Sequence, residues 1–223
     1  MEPETLRRAL AGVPDRLLPD RAWLTDALRQ VTTEPAAIGR LFAAAGRRCG
    51  RAPLPGLPDW TAAEAARVLL LTALPAAELT TQVADLYRYG DAAEKRAGLR
   101  ALPMLPIGDA GVPLLLDAIR TNDTRLVAAA LGPYARHLDD AAWRQAVLKC
   151  VFMGVPLSVV HGLDERADAE LAVMLAGLAE ERRAAGRDMP ADATALLDRL
   201  RAAESTGRPH HPEQPDRLST KEA

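Results

Sequence analysis

Proline and glycine cut this chain into short segments, and nearly every segment carries a single apolar stripe at the 3.6-residue period of an α-helix. The stripes read Val112, Leu115, Leu116, Ile119; then Leu126, Val127, Ala130, Leu131, Tyr134; then Trp143, Ala146, Val147, Cys150, Val151; then Leu171, Met174, Leu175, Leu178. A helix with one apolar face must hide that face against a neighbour, so the chain can only fold as packed short helices. Aromatic residues make up 4% of the sequence, and alanine and leucine dominate, which favours helix over sheet. The spacing predicts helices over residues 2 to 12, 21 to 31, 35 to 45, 60 to 74, 76 to 89, 91 to 103, 109 to 120, 123 to 137, 140 to 153, 168 to 185 and 191 to 203.

The domain reading follows this punctuation. Residues 1–45 form N-terminal helices packed on the main domain, and the "GRRCGRAPLPGLP" region, 46–58, is a Pro/Gly loop. Residues 59–204 form the main helical domain. The polar, proline-rich stretch 205–223 lacks periodicity and reads as a disordered tail. Within the main domain, "DAAEKRAGLRAL" at 91–102 echoes "DAAWRQAVLKCV" at 140–151. Such self-similarity marks an α-solenoid, so the predicted fold is all-α, a HEAT-like repeat stack or superhelix, with an irregular helical bundle as the alternative.

Several function classes are disfavoured. The net charge of −2 supplies no cationic excess for a phosphate backbone, which argues against nucleic acid. Cys49 and Cys150 are far apart and form no CxxC pair; the charged start and the lack of a long apolar run predict an unexported, cytoplasmic protein. His137, His161, His210 and His211 have no metal-ligand spacing, and no GxSxG, P-loop or GxGxxG is present, so neither metal nor cofactor is predicted. The aspartates Asp91, Asp109, Asp123, Asp140, Asp168 and Asp192 sit where helices begin and read as N-caps, with Glu94 completing a capping box on Asp91. The Asp139–Asp140 pair lacks the further aspartate that a diphosphate-metal motif needs.

What remains for binding is cationic and aromatic. Lys149 lies in an almost wholly apolar stretch, where a lysine either extends to solvent or awaits an anion. By the internal echo it matches Arg100, and a common concave face would present both, with Arg88, Arg96 and Arg125 as further candidates. Tyr87 and Tyr89 alternate around Arg88 at a helix end and could rim a pocket with their hydroxyls.

Three longer phrases, "LYRYGDAAEKRAGLRALPMLPIGDA", "AIRTNDTRLVAAALGPYA" and "WRQAVLKCVFMGVPLSVVHGLDERADAELAVMLAGLAEERRAAGRDMPAD", resemble the EboA family over roughly Trp60 to Asp192. The resemblance implies a component of gene clusters that also encode a prenyltransferase-like membrane protein, a metal-dependent hydrolase and a sugar-isomerase-like barrel protein. It implies partners among those cluster proteins and a part in the traffic or maturation of a secondary metabolite, prenylated or lipid-linked. It transfers no catalytic residue. Where many relatives carry an asparagine–glutamine pair, Arg144 and Gln145 stand here, and Ala193 replaces a tryptophan often found after P-x-D. The expectation is a non-catalytic helical adaptor or carrier that holds a protein partner or an apolar or anionic small molecule; the alternative is an all-α enzyme acting on an isoprenoid or phosphorylated metabolite.

Overall fold

The computed structural model describes residues 1–18 and 20–206, and these are mostly helical, as expected for an all-α protein. The helices are α1 Pro3–Ala11, α2 Arg21–Thr33, α3 Ile38–Cys49, α4 Ala62–Thr72, α5 Ala76–Tyr89 and α6 Ala92–Ala101. They continue with α7 Val112–Arg120, α8 Thr124–Ala130, α9 Asp140–Met153, α10 Leu163–Arg166, α11 Ala169–Ala184 and α12 Ala191–Thr206. The chain divides after Arg166 into two compact units, a division that falls inside the 59–204 segment read as one domain. Residues from 207 onward, most of the expected tail, lie outside the described residues, while 205 and 206 belong to α12.

In the first unit α4 is the axis. Every residue from Ala62 to Leu71 is buried, including Glu64 and Arg67. A helix enclosed on all sides needs small residues where its neighbours approach, and the four alanines of "AAEAARVLLL" meet that need. Helices α1, α2, α3 and α6 pack around it. Further along, α5 packs on α6 and α7 on α8, while α6 packs on α8 in turn. The second unit pairs α11 with α12.

Two glutamates set the contact between α4 and α6. Thr61 caps α4: its hydroxyl accepts from the Glu64 backbone N–H at 3.3 Å, and Glu64 Oε2 accepts from the Thr61 N–H at 3.1 Å. Asp91 caps α6 in the same way, its Oδ1 accepting from the Glu94 N–H at 2.8 Å and Glu94 Oε2 from the Asp91 N–H at 3.0 Å. In each capping box the other carboxylate oxygen faces the opposite helix. Glu64 Oε1 accepts from Arg96 Nη1 and lies 3.6 Å from Arg100 Nη1, and Glu94 Oε1 accepts from Arg67 Nη2 at 3.4 Å. Arg67 also donates from Nε to the Phe42 carbonyl at 3.1 Å, with its guanidinium carbon 5.5 Å from the Phe42 ring centre.

The structure departs from the sequence reading in several local places. Helix α3 runs on through Gly46 to Cys49 instead of stopping at Ala45. Gly46 is no breaker there: a Cβ at this position would stand 3.2 Å from Arg67 Nη2, so the glycine makes room for the buried guanidinium. The rest of the expected 46–58 loop holds an antiparallel hairpin, β1 Pro53–Leu54 with β2 Leu57–Thr61, whose last turns bury Trp60 and deliver Thr61 as the cap of α4. The helix expected over 123 to 137 ends at Ala130, because Gly132 and Pro133 open a separate 3-10 turn at Pro133–His137. Asp139, one residue earlier than expected, caps α9 by accepting from Ala142 N–H at 2.7 Å, while Asp140 accepts from Arg166 Nη2. Asp109 caps nothing, since α7 starts at Val112 after Gly111. Asp91, Asp123 and Asp168 do cap their helices, and Gly154 ends α9 in the left-handed conformation, as the sequence indicates.

Removing one partner of a buried ion pair leaves the other charge desolvated, at a cost of about 3 kcal/mol or more. Arg67→Met is expected to lower the free energy of unfolding in urea by about 3 kcal/mol, since it strands Glu94 and the Phe42 carbonyl together.

Candidate functional site

Helix α6, once fixed against α4, turns Arg96, Leu99 and Arg100 toward a cavity of about 640 Å³ in the first unit. Asp59 and Trp60 of β2 line one side, Pro103 and Met104 follow α6, and Thr124, Arg125, Ala128 and Ala129 of α8 form the facing wall. The segment after α9 closes it with Val155, Pro156, Ser158 and Val159. Pro156 and the 3-10 turn Leu157–Val159 hold this strap off the helical path. A second hollow of about 710 Å³ lies beyond the strap, lined by residues that include Arg136 and His161, and shares Gly132, Pro133, Ser158 and Val159 with the first.

Arg100 is the central polar group. Its Nη1 donates to the Asp59 carbonyl at 2.7 Å, and its guanidinium carbon lies 3.6 Å from the Trp60 ring centre, within stacking range. Its side chain is 16% exposed, and burial pulls the guanidinium down to about 10; the Glu64 carboxylate opposes the shift and Arg96 adds to it. Arg100 is therefore a cation at neutral pH whose lost hydration its protein partners only partly replace. Arg96 is 29% exposed on the same wall. Arg125 is exposed at the rim and held in a two-point pair by Asp123, Nε to Oδ1 at 3.1 Å and Nη2 to Oδ2 at 2.8 Å. That pair keeps the Asp123 carboxyl below its ordinary value.

Of the residues singled out in the sequence, Arg96, Arg100 and Arg125 line this cavity, and Lys149, Arg88, Tyr87 and Tyr89 do not. Lys149 is half-buried on α9. Arg88 is exposed, with its guanidinium carbon 5.9 Å from the Tyr89 ring centre, and Tyr89 is 79% exposed. Tyr87 is buried, donates from its hydroxyl to Asp117 Oδ2 at 2.9 Å and has Lys95 Nζ 5.1 Å from its ring centre, so its polar end braces α5 on α7. Glu64, Arg67 and Trp60 were not singled out. The signal for the first was present in the twin phrases "TAAE" at 61–64 and "DAAE" at 91–94, both of capping-box form. Among the described residues, no group of three or more His, Cys, Asp or Glu side chains converges as metal ligands, and no helix is long and apolar enough to cross a membrane.

These features define an all-α protein whose N-terminal unit holds an arginine-walled, largely apolar cavity. Residues 22–198 match the family model described as metabolite traffic protein EboA, and the chain belongs to the EboA family. No curated protein and no solved structure matches it.

The tyrosine brace gives a pH signature. Burial, then the Asp117 hydrogen bond and charge, raise the Tyr87 phenol above its ordinary value, so the folded state keeps a proton that the unfolded chain loses near about pH 10. The stability this confers is complete below that pH and is lost as pH rises further. Urea midpoints at pH 8 and pH 10.5 are expected to fall more for the wild-type chain than for Tyr87→Phe, which is itself about 1 kcal/mol less stable at pH 8.

Proposed function

We propose that this EboA-family chain is a non-catalytic carrier in metabolite traffic, and that the cavity beside α6 and α8 holds its cargo. The observation that carries this reading is the cavity itself: about 640 Å³, within the ordinary range of small-molecule sites, with apolar walls and a few convergent polar groups. Its polar lining consists of guanidinium, carboxylate and hydroxyl groups, which suit holding and orienting a molecule. Leu99, Met104, Val155 and Val159 offer surface for a prenyl or other lipid-like chain, in line with a prenylated or lipid-linked secondary metabolite.

A second reading, the helical-repeat adaptor, draws support from the packing order. Each of α3, α5 and α7 packs on the helix that follows it, and α4, α6 and α8 pack in succession, as the paired helices of a HEAT-like stack would. Phe152 on α9, 66% exposed, adds an apolar foothold for a partner. In this reading the partners are other proteins of an ebo-type cluster, a prenyltransferase-like membrane protein among them, and the compartment is the cytoplasm. Carrier and adaptor are compatible, because cargo must be handed on.

The carrier reading is tested with the neutral fluorophore N-phenyl-1-naphthylamine. Saturable binding to a single site per chain is expected, with loss of binding in Ala128→Trp, which fills the cavity from α8. Absence of saturable binding, or binding unchanged in Ala128→Trp, would remove the cavity as the cargo site.

A further inference from the structure

The cavity wall has a charge arrangement that selects among cargoes. Glu64 Oε1 is the acidic partner of both Arg96 and Arg100, and each arginine faces it with Nη1. Glu64 is 4% exposed and its other oxygen is committed to the Thr61 cap, so it cannot turn to serve either guanidinium more fully. Nη1 of Arg100 donates to the Asp59 carbonyl and faces Glu64 Oε1 at 3.6 Å, and among the described residues no hydrogen bond is made by its Nε or Nη2. The Nε–Nη2 edge is the fork that grips a carboxylate or phosphate in two parallel hydrogen bonds. Arg125 does not compete for such a group, being engaged by Asp123. Two cations thus share one buried carboxylate beside apolar surface, with the exposed Asp59 carboxylate a further negative charge near Arg100.

Resting on the carrier reading, we propose that the cargo is an amphipathic oxyanion, a carboxylic acid or phosphate monoester with an apolar body, whose anionic head is held by Arg100 and Arg96 in competition with Glu64. The head completes the hydrogen bonding of two guanidiniums that the fold already holds in place, so little ordering is required on binding. The apolar body then lies along Leu99, Met104 and Val159. The low exposure of Arg100 makes an added anion worth more than it would be on an open surface. The depressed basicity of Arg100 agrees with an under-compensated cation.

The test compares decanoate, decyl phosphate and decanol by isothermal titration calorimetry on the full chain, with Arg100→Gln, Arg96→Gln and Glu64→Gln alongside. The anions are expected to bind at least tenfold tighter than decanol, a difference of about 1.4 kcal/mol, and the tighter anion identifies the head group. Arg100→Gln is expected to erase that preference while leaving decanol binding in place, which also reports that the cavity is folded. Glu64→Gln gives the sharpest contrast. Glutamine at this position retains the capping box, so removing the competing charge should raise anion affinity about threefold or more even as the protein loses stability. A purely structural triad would instead lose anion binding together with stability in that variant. Equal binding of decanol and the anions, or no effect of Arg100→Gln, overturns the oxyanion proposal and leaves the apolar carrier standing. Failure of every probe, the neutral naphthylamine included, overturns both.

Discussion

Two carboxylates organise the N-terminal unit by dividing their oxygens. Glu64 and Glu94 each give one oxygen to the first turn of their own helix and the other to an arginine of the opposite helix. The arrangement is reciprocal: α4 supplies Glu64 and Arg67, while α6 supplies Glu94, Arg96 and Arg100. A charge buried as deeply as Glu64 costs several kcal/mol unless its lone pairs are filled, and here cap and cross-helix pair fill them together. The order of the partners along the two helices fixes their register. Apolar packing between alanine-rich faces would define that register less sharply, because small side chains interlock weakly.

The cavity is a consequence of that register. Glu64 holds Arg96 and Arg100 on the face of α6 that looks toward α8, and the Asp59 carbonyl and Trp60 ring hold the Arg100 guanidinium as well. The hairpin before α4 has two tasks. It delivers Thr61 as a cap and Trp60 as a stacking platform, linking helix initiation to the shape of the wall. The chain therefore has structural reasons for its arginine positions, and it belongs to a metabolite-traffic family.

Much of this was legible in the sequence. Helix α5 spans Ala76–Tyr89, the limits its stripe and flanking Pro75 and Gly90 predict, and α1, α9 and α11 agree within a residue or so. Those helices carry their boundaries locally, in caps and breakers. The hairpin was hidden because proline and glycine in "APLPGLPDW" signal a turn without saying what the turn pairs. Gly46 misled for a different reason: its cause is Arg67, a tertiary neighbour with no trace in the local pattern. At the site, Arg96, Arg100 and Arg125 stand out in the sequence as candidate binding cations, yet their common cavity depends on α6 and α8 meeting across the chain. Lys149 was matched to Arg100 through an echo whose helices both form but begin with different cap offsets, Asp91 just before α6 and Asp139, not Asp140, before α9.

The reciprocal carboxylates can be tested directly by a double-mutant cycle between Glu64→Gln and Arg96→Met, read as the free energy of urea unfolding. If Glu64 ties the cap of α4 to α6, the two losses overlap and the coupling is about 1 kcal/mol or more. Additive losses, with a coupling below about 0.3 kcal/mol, would show that the pair does not brace the two helices and would contradict the account.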